Sequence, residues 1–258
     1  MGRASVLGLV RAVCRSSPFS PERVPELIPD ALFSIGDGLD PLRVAVAAVS
    51  LAASVAYFGF LQLGMSPVRT GAKTVVFAVL AILPLLYLPG HPERQLALFL
   101  LAAALVLSAL GDFFLALEEQ GKFFVLGLGS FLLAHVVYVI GFIPYLGAPS
   151  MEALVAMAAC GGAATTLVFR LWPRLGSMRV PVLAYFAVIM VMVFCALSVP
   201  QASLALGVGA VTFALSDSLI AVRKFMRPFA GVNEAIWLTY IVAQFLITGA
   251  MLSLVLAN

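Results

Sequence analysis

The sequence predicts an all-α integral membrane protein, an eight-transmembrane-helix bundle. Of its 258 residues, 63% are apolar and 10% charged, against roughly a quarter charged in an ordinary soluble domain. The mean hydropathy is +1.11. The apolar residues gather into eight runs, each long enough at ~1.5 Å per residue to cross about 30 Å of hydrocarbon. The charges fall mostly in the gaps between runs.

Residues 1–43 form the one stretch of ordinary polarity. Arg3, Arg11 and Arg15 flank short apolar runs, and Pro18, Pro21, Pro25 and Pro29 prevent a long helix. A poorly ordered or interfacial tail is expected there. It contains no long apolar region with a cleavage site, and position 6 is Val6 where myristoylation calls for Ser or Thr. The transmembrane domain, 44–258, follows. Its segments lie near 44–63, 72–89, 95–117, 122–143, 151–170, 181–199, 202–222 and 235–257. Segments 3 and 4 are joined by Glu118-Glu119-Gln120-Gly121, too short for anything but an antiparallel turn.

Loop charge sets the orientation. Arg69, Lys73, Lys122, Arg170, Arg174, Arg179, Arg223, Lys224 and Arg227 lie in or beside the loops after segments 1, 3, 5 and 7. Near the segment ends on the other side stand Arg43 and Arg94. The basic side is therefore expected to be cytoplasmic, with both termini outside.

Two segments echo each other. Ala109-Leu110-Gly111-Asp112 in segment 3 aligns with Ala214-Leu215-Ser216-Asp217 in segment 7 at a shift of 105 residues. Segments 4 and 8 continue the match loosely, with Ala134-His135 answered by Ala243-Gln244. A four-plus-four parallel repeat, its halves related by an axis along the membrane normal, accounts for this. Chance resemblance among alanine- and leucine-rich helices is the rival reading.

The aspartates are the strongest functional signal, because a carboxylate at the centre of a membrane helix costs about 2.5–3.5 kcal/mol. Asp112 lies six residues before Glu118 and Asp217 six before Arg223, so both sit about 9 Å in from the basic side. If segments 3 and 7 are neighbours, one carboxyl keeps its proton while the other ionises, an arrangement suited to general acid/base chemistry. The bland alternative is that each aspartate pairs with a nearby cation for structural reasons. His135 and Tyr138 share a face of segment 4. Asn233, Trp237, Tyr240, Gln244 and Thr248 form a polar-aromatic stripe on segment 8 that should face the bundle interior, although Trp237 also suits an interface anchor. Lys73, inside its helix, and Arg179, Arg223 and Lys224 are candidates for a phosphate headgroup, or topology determinants only.

Several classes are excluded. The net charge of +3 arises from loop residues and signals no nucleic acid. Cys14, Cys160 and Cys195 lack CxxC spacing and read as inert thiols. No GxSxG, HExxH, Walker or CxxCH motif occurs, and Ser130 fails the elbow pattern because Phe131 follows it. A single membrane histidine leaves an Asp-His metal site short of ligands. Arginine outnumbers lysine 12 to 3, as in a GC-rich, bacterial genome.

Gly111-Asp112, Ala134-His135-Val136-Val137-Tyr138, Ser216-Asp217 and Tyr240-Ile241-Val242-Ala243-Gln244 together resemble the YhhN-like lysoplasmalogenases over about residues 44–257. The resemblance implies a multi-pass membrane hydrolase that cleaves the vinyl ether of lysoplasmalogen to a fatty aldehyde and glycerophosphoethanolamine or glycerophosphocholine. It implies an inner-membrane location in a bacterium and an endoplasmic reticulum location in a eukaryote. A vinyl ether resists base and yields to acid, so Asp112 and Asp217 are the expected catalytic pair, with no metal or organic cofactor. His135, Tyr138, Tyr240 and Gln244 would orient water and carboxyls, and Lys73 would meet the phosphate. The partners implied are a lysophospholipid substrate entering sideways and the surrounding membrane lipids. A proton-coupled transporter using the same aspartates is the alternative, and a scaffold the third reading.

Overall fold

The computed structural model describes residues 32–33, 35–61, 66–117, 121–200 and 204–257. Among them no strand occurs, and eight helical spans are long and apolar enough to cross a membrane. The helices are α1 (Asp40–Phe60), α2 (Pro67–Leu80), α3 (Gln95–Leu117), α4 (Gly121–Phe142), α5 (Met151–Leu171), α6 (Arg179–Leu197), α7 (Leu204–Phe225) and α8 (Val232–Ala257). A short turn, Ile82–Leu85, and two 3-10 turns carry α2 across to α3. This is a multi-pass membrane protein with an all-α bundle.

Helix starts follow capping chemistry rather than hydropathy. The apolar run of segment 2 begins near residue 72, yet α2 begins at Pro67. Ser66 accepts a hydrogen bond from the Arg69 amide at 3.2 Å, and proline supplies a preset φ in the first turn. The added turn brings Arg69 and Lys73 onto a formed helix.

Part of the stretch assigned to the tail is built into the bundle. Most of that tail, residues 1–31, lies outside the described residues. Leu32 is buried, and its carbonyl accepts the Tyr87 hydroxyl at 2.5 Å. Arg43 is fully buried yet compensated: it pairs with Asp37 at 2.5 Å and Asp40 at 2.8 Å and donates to the Leu86 carbonyl. Its guanidinium also lies 4.3 Å from the Tyr87 ring centroid. A buried cation survives only with such partners.

Helices pack in chain order within each half, α1–α2–α3–α4 and α5–α6–α7–α8, while α4 meets α6 and α3 meets α8 between halves. α8 and α3 are the most buried spans and α5 the least. Two glycines set the α3–α4 distance. A Cβ on Gly111 would lie 2.6 Å from the Phe131 ring, and one on Gly127 would lie 2.8 Å from Leu115. Without side chains there, the backbones close up as small residues allow in membranes. The core between them is aromatic: Phe131, Phe213 and Tyr240 meet edge to face, and Phe77 and Trp237 extend the cluster toward α2.

Candidate active site

Two buried carboxyls organise the interior, each with its own partners. Asp112, one turn and a half from the end of α3, forms a 2.7 Å ion pair with Lys73 of α2. The Tyr240 hydroxyl of α8 interacts with the same carboxyl. Asp112 is 1% exposed, so the lysine charge is what makes an ionised carboxylate tolerable there. The Lys73 ammonium also lies 6.0 Å from the Trp237 ring centroid. Trp237 donates its indole N–H to the Ser54 carbonyl at 2.9 Å and is buried inside the bundle, which decides against an interface anchor.

Among the described residues, no lysine or arginine forms an ion pair with Asp217, on α7. Tyr185 of α6 donates to its Oδ2 at 2.6 Å, and His135 Nε2 of α4 stands 3.4 Å from the same oxygen. His135 Nδ1 is 2.5 Å from the Phe131 carbonyl. A carbonyl only accepts, so Nδ1 carries hydrogen and a neutral ring presents its lone pair at Nε2. Lone pair would then face carboxylate, and one proton shared by Asp217 and His135 removes the repulsion. The geometry therefore calls for a proton at this pair.

The two groups are joined at the bundle centre. Tyr138 donates to Gln244 Oε1 at 2.6 Å, and Gln244 Nε2 donates to the Tyr240 oxygen at 3.3 Å. Every hydrogen in this relay points one way, leaving the Tyr240 proton for Asp112. Such a directional chain strengthens each of its bonds. Asp112 and Asp217 lie within electrostatic reach of each other, but α3 packs mainly on α2 and α4, and α7 mainly on α8 and α6.

Two small cavities, of about 40 Å³ and about 50 Å³, flank this core. One is an apolar slot between α4, α6 and α7, walled by Phe124, Phe186 and Ile189, whose polar residues are Tyr185 and Asp217. The other is a polar mouth at the basic end, lined by Arg69, Thr70, Lys73, Arg223 and Asn233. Leu115, one turn beyond Asp112, borders both.

A model described as "YhhN family" matches residues 68–251. The chain belongs to the YhhN family. Its similarity extends to the lysoplasmalogenase of Mycobacterium bovis, 35% identical over 191 residues, 71% of this chain and 69% of that one. Human lysoplasmalogenase TMEM86B is 36% identical over 151 residues, 58% of this chain and 62% of its own. Human lysoplasmalogenase TMEM86A is 35% identical over 170 residues, 62% and 67% of the two chains. No solved structure matches. In this YhhN-family chain the matched stretch contains every site residue from Lys73 to Gln244.

Of the residues singled out by sequence, Lys73, Asp112, Tyr138, Tyr240 and Gln244 fall into one connected group. His135 joins Asp217 instead, because α4 presents it toward α6 and α7. Arg179 takes no part: its guanidinium lies 4.8 Å from the Trp172 ring centroid, away from both cavities. Ser216, part of the echo, donates to the Ile236 carbonyl at 3.1 Å and ties α7 to α8. Tyr185 was missed. It lies in an apolar run with no neighbouring polar residue, and its link to Asp217 spans 32 residues.

Proposed function

We propose that this protein is a lysoplasmalogenase, hydrolysing the vinyl ether of a lysoplasmalogen to a fatty aldehyde and a glycerophospho-alcohol. Family membership and the names of the mycobacterial and human relatives support the reaction class. The observation that carries the mechanism is Asp217, hydrogen-bonded to Tyr185 and facing His135, on the wall of an apolar slot.

In this reading the alkenyl chain lies in the slot and the headgroup in the polar mouth, with the glycerol passing Leu115. Asp217 is the acid. It transfers its proton to the β-carbon of the vinyl ether, and the ether oxygen shares the resulting positive charge with the α-carbon. Water adds to that carbon, giving up a proton to the Asp217–His135 pair, and a hemiacetal results. The pair returns a proton to the glycerol oxygen and takes the hemiacetal hydroxyl's proton as the C–O bond breaks, releasing aldehyde and alcohol and restoring the starting state. One water is consumed and no net proton. The Asp112 carboxylate, balanced by Lys73, stabilises the oxocarbenium ion electrostatically. The Tyr138–Gln244–Tyr240 relay holds Asp112 in place. The helical bundle carries the chemistry, and the basic mouth faces the cytoplasm.

The test is aldehyde release from lysoplasmenyl-ethanolamine by detergent-purified protein. Wild type releases it, and Asp217→Asn and Asp112→Asn, each shown to be folded, fall by about 10²–10⁴-fold, as for loss of a general acid or its electrostatic partner. A folded wild-type protein that released none would end this reading.

A further inference from the structure

We infer, resting on the hydrolase reading, that Asp217 gives up its proton from Oδ1. Tyr185 is then the positioning residue that steadies, through Oδ2, the carboxylate left behind.

The two carboxyl oxygens of Asp217 stand in different surroundings. Oδ2 is engaged from two helices: the Tyr185 hydroxyl of α6 donates to it at 2.6 Å, and His135 Nε2 of α4 stands 3.4 Å away. The His135 ring is fixed in that position. Its Nδ1 is tied to the Phe131 carbonyl at 2.5 Å, and the ring packs edge to face with Tyr185 and Phe213, at centroid distances of 5.5 Å and 4.7 Å. No hydrogen bond reaches Oδ1 among the described residues. Asp217 keeps 8% exposure against 1% for Asp112, and it lines the apolar slot. Tyr185 is the other polar residue of that wall, and its hydroxyl is turned to Oδ2. Oδ1 is therefore the side-chain oxygen that the slot offers to an alkenyl chain.

As the Oδ1–H bond breaks, its electron pair stays on the carboxyl group and the proton joins the β-carbon. The π pair of the vinyl ether forms the new C–H bond. Resonance shares the negative charge with Oδ2, so the bond from Tyr185 changes from a neutral to a charge-assisted one, roughly twice as strong. Tyr185 thus stabilises the transition state more than the resting acid, which acts on kcat. The water that adds next returns a proton to the Asp217–His135 pair.

The test replaces Tyr185 in the full chain and reads kcat and KM for aldehyde release from lysoplasmenyl-ethanolamine. Tyr185→Phe keeps the ring that packs on His135 and removes only the hydroxyl. Its kcat is expected to fall about ten- to a hundredfold with KM unchanged. 3-Fluorotyrosine in place of Tyr185, a stronger donor of nearly the same shape, is expected to raise kcat about two- to threefold. A side chain that merely tied α6 to α7 would give no such gain, and this variant decides the matter if Tyr185→Phe does not fold. In heavy water the deuterium is expected on one face of the β-carbon, read after immediate reduction of the aldehyde to the alcohol. Full kcat in a folded Tyr185→Phe, no gain on fluorination, or a label spread over both faces would each overturn the inference and leave the hydrolase standing. A folded wild-type protein that released no aldehyde would end both.

Discussion

Tyr138 of α4 donates to Gln244 of α8 across the bundle centre, and the two residues are 106 positions apart. The echo between Asp112 and Asp217 has a shift of 105, so each partner of this bond stands close to the other's equivalent position. Asp112 interacts with Tyr240, and Asp217 meets His135. Each half thus lends a residue of its fourth helix to the aspartate of the other. The two carboxyls differ in what else they meet: α2 supplies Lys73 to one, and α6 supplies Tyr185 to the other.

Tyr138→Phe leaves Gln244 Oε1 buried without its donor. The expected cost is about 1–3 kcal/mol of stability, the usual penalty for an orphaned buried acceptor. A lowered thermal midpoint in detergent checks it. Tyr138→Phe combined with Gln244→Leu is expected to recover part of the loss, since no acceptor then remains at that site.

Protonation at carbon has an isotopic signature. In heavy water, the aldehyde released by wild type is expected to carry one deuterium on the carbon beside the carbonyl, detected by mass spectrometry after immediate trapping. Unlabelled aldehyde would rule out proton delivery from Asp217 to the β-carbon.

Gly111→Ala places a methyl group 2.6 Å from the Phe131 ring, which is itself confined by Phe213 and Tyr240. The helices must part or the ring must turn, at about 1–3 kcal/mol for overpacking. Phe131 also holds His135 through its carbonyl, so activity should fall along with the thermal midpoint. Unchanged activity in a protein of unchanged stability would contradict the tight α3–α4 contact.

Acid should loosen the far end of the bundle. The hydrogen bond from Arg43 holds the Asp37 carboxyl down at about 2, below its ordinary 3.8. A depressed carboxyl contributes stability above its ordinary value, and that contribution is lost as pH falls from about 4 to about 2. Asp37→Asn is expected to lower the thermal midpoint at pH 7 and to converge with wild type below this window.

Composition and run length by themselves determined the eight spans, because hydrocarbon thickness dictates a minimum apolar length regardless of partners. The cost of charge in lipid likewise marked Asp112, Asp217 and Lys73, and the segment 8 stripe marked Tyr240 and Gln244, since lipid leaves polar groups nowhere to turn but inward. Which residue meets which was decided by tertiary structure alone. His135 goes to Asp217, Lys73 is taken by Asp112, and Tyr185 closes the second group from an apolar helix that carries no local sign of it. These pairings depend on how far each helix is rotated and how closely its neighbours approach. Distant residues such as Gly111 and Phe131 set that geometry, and no spacing within one segment records it.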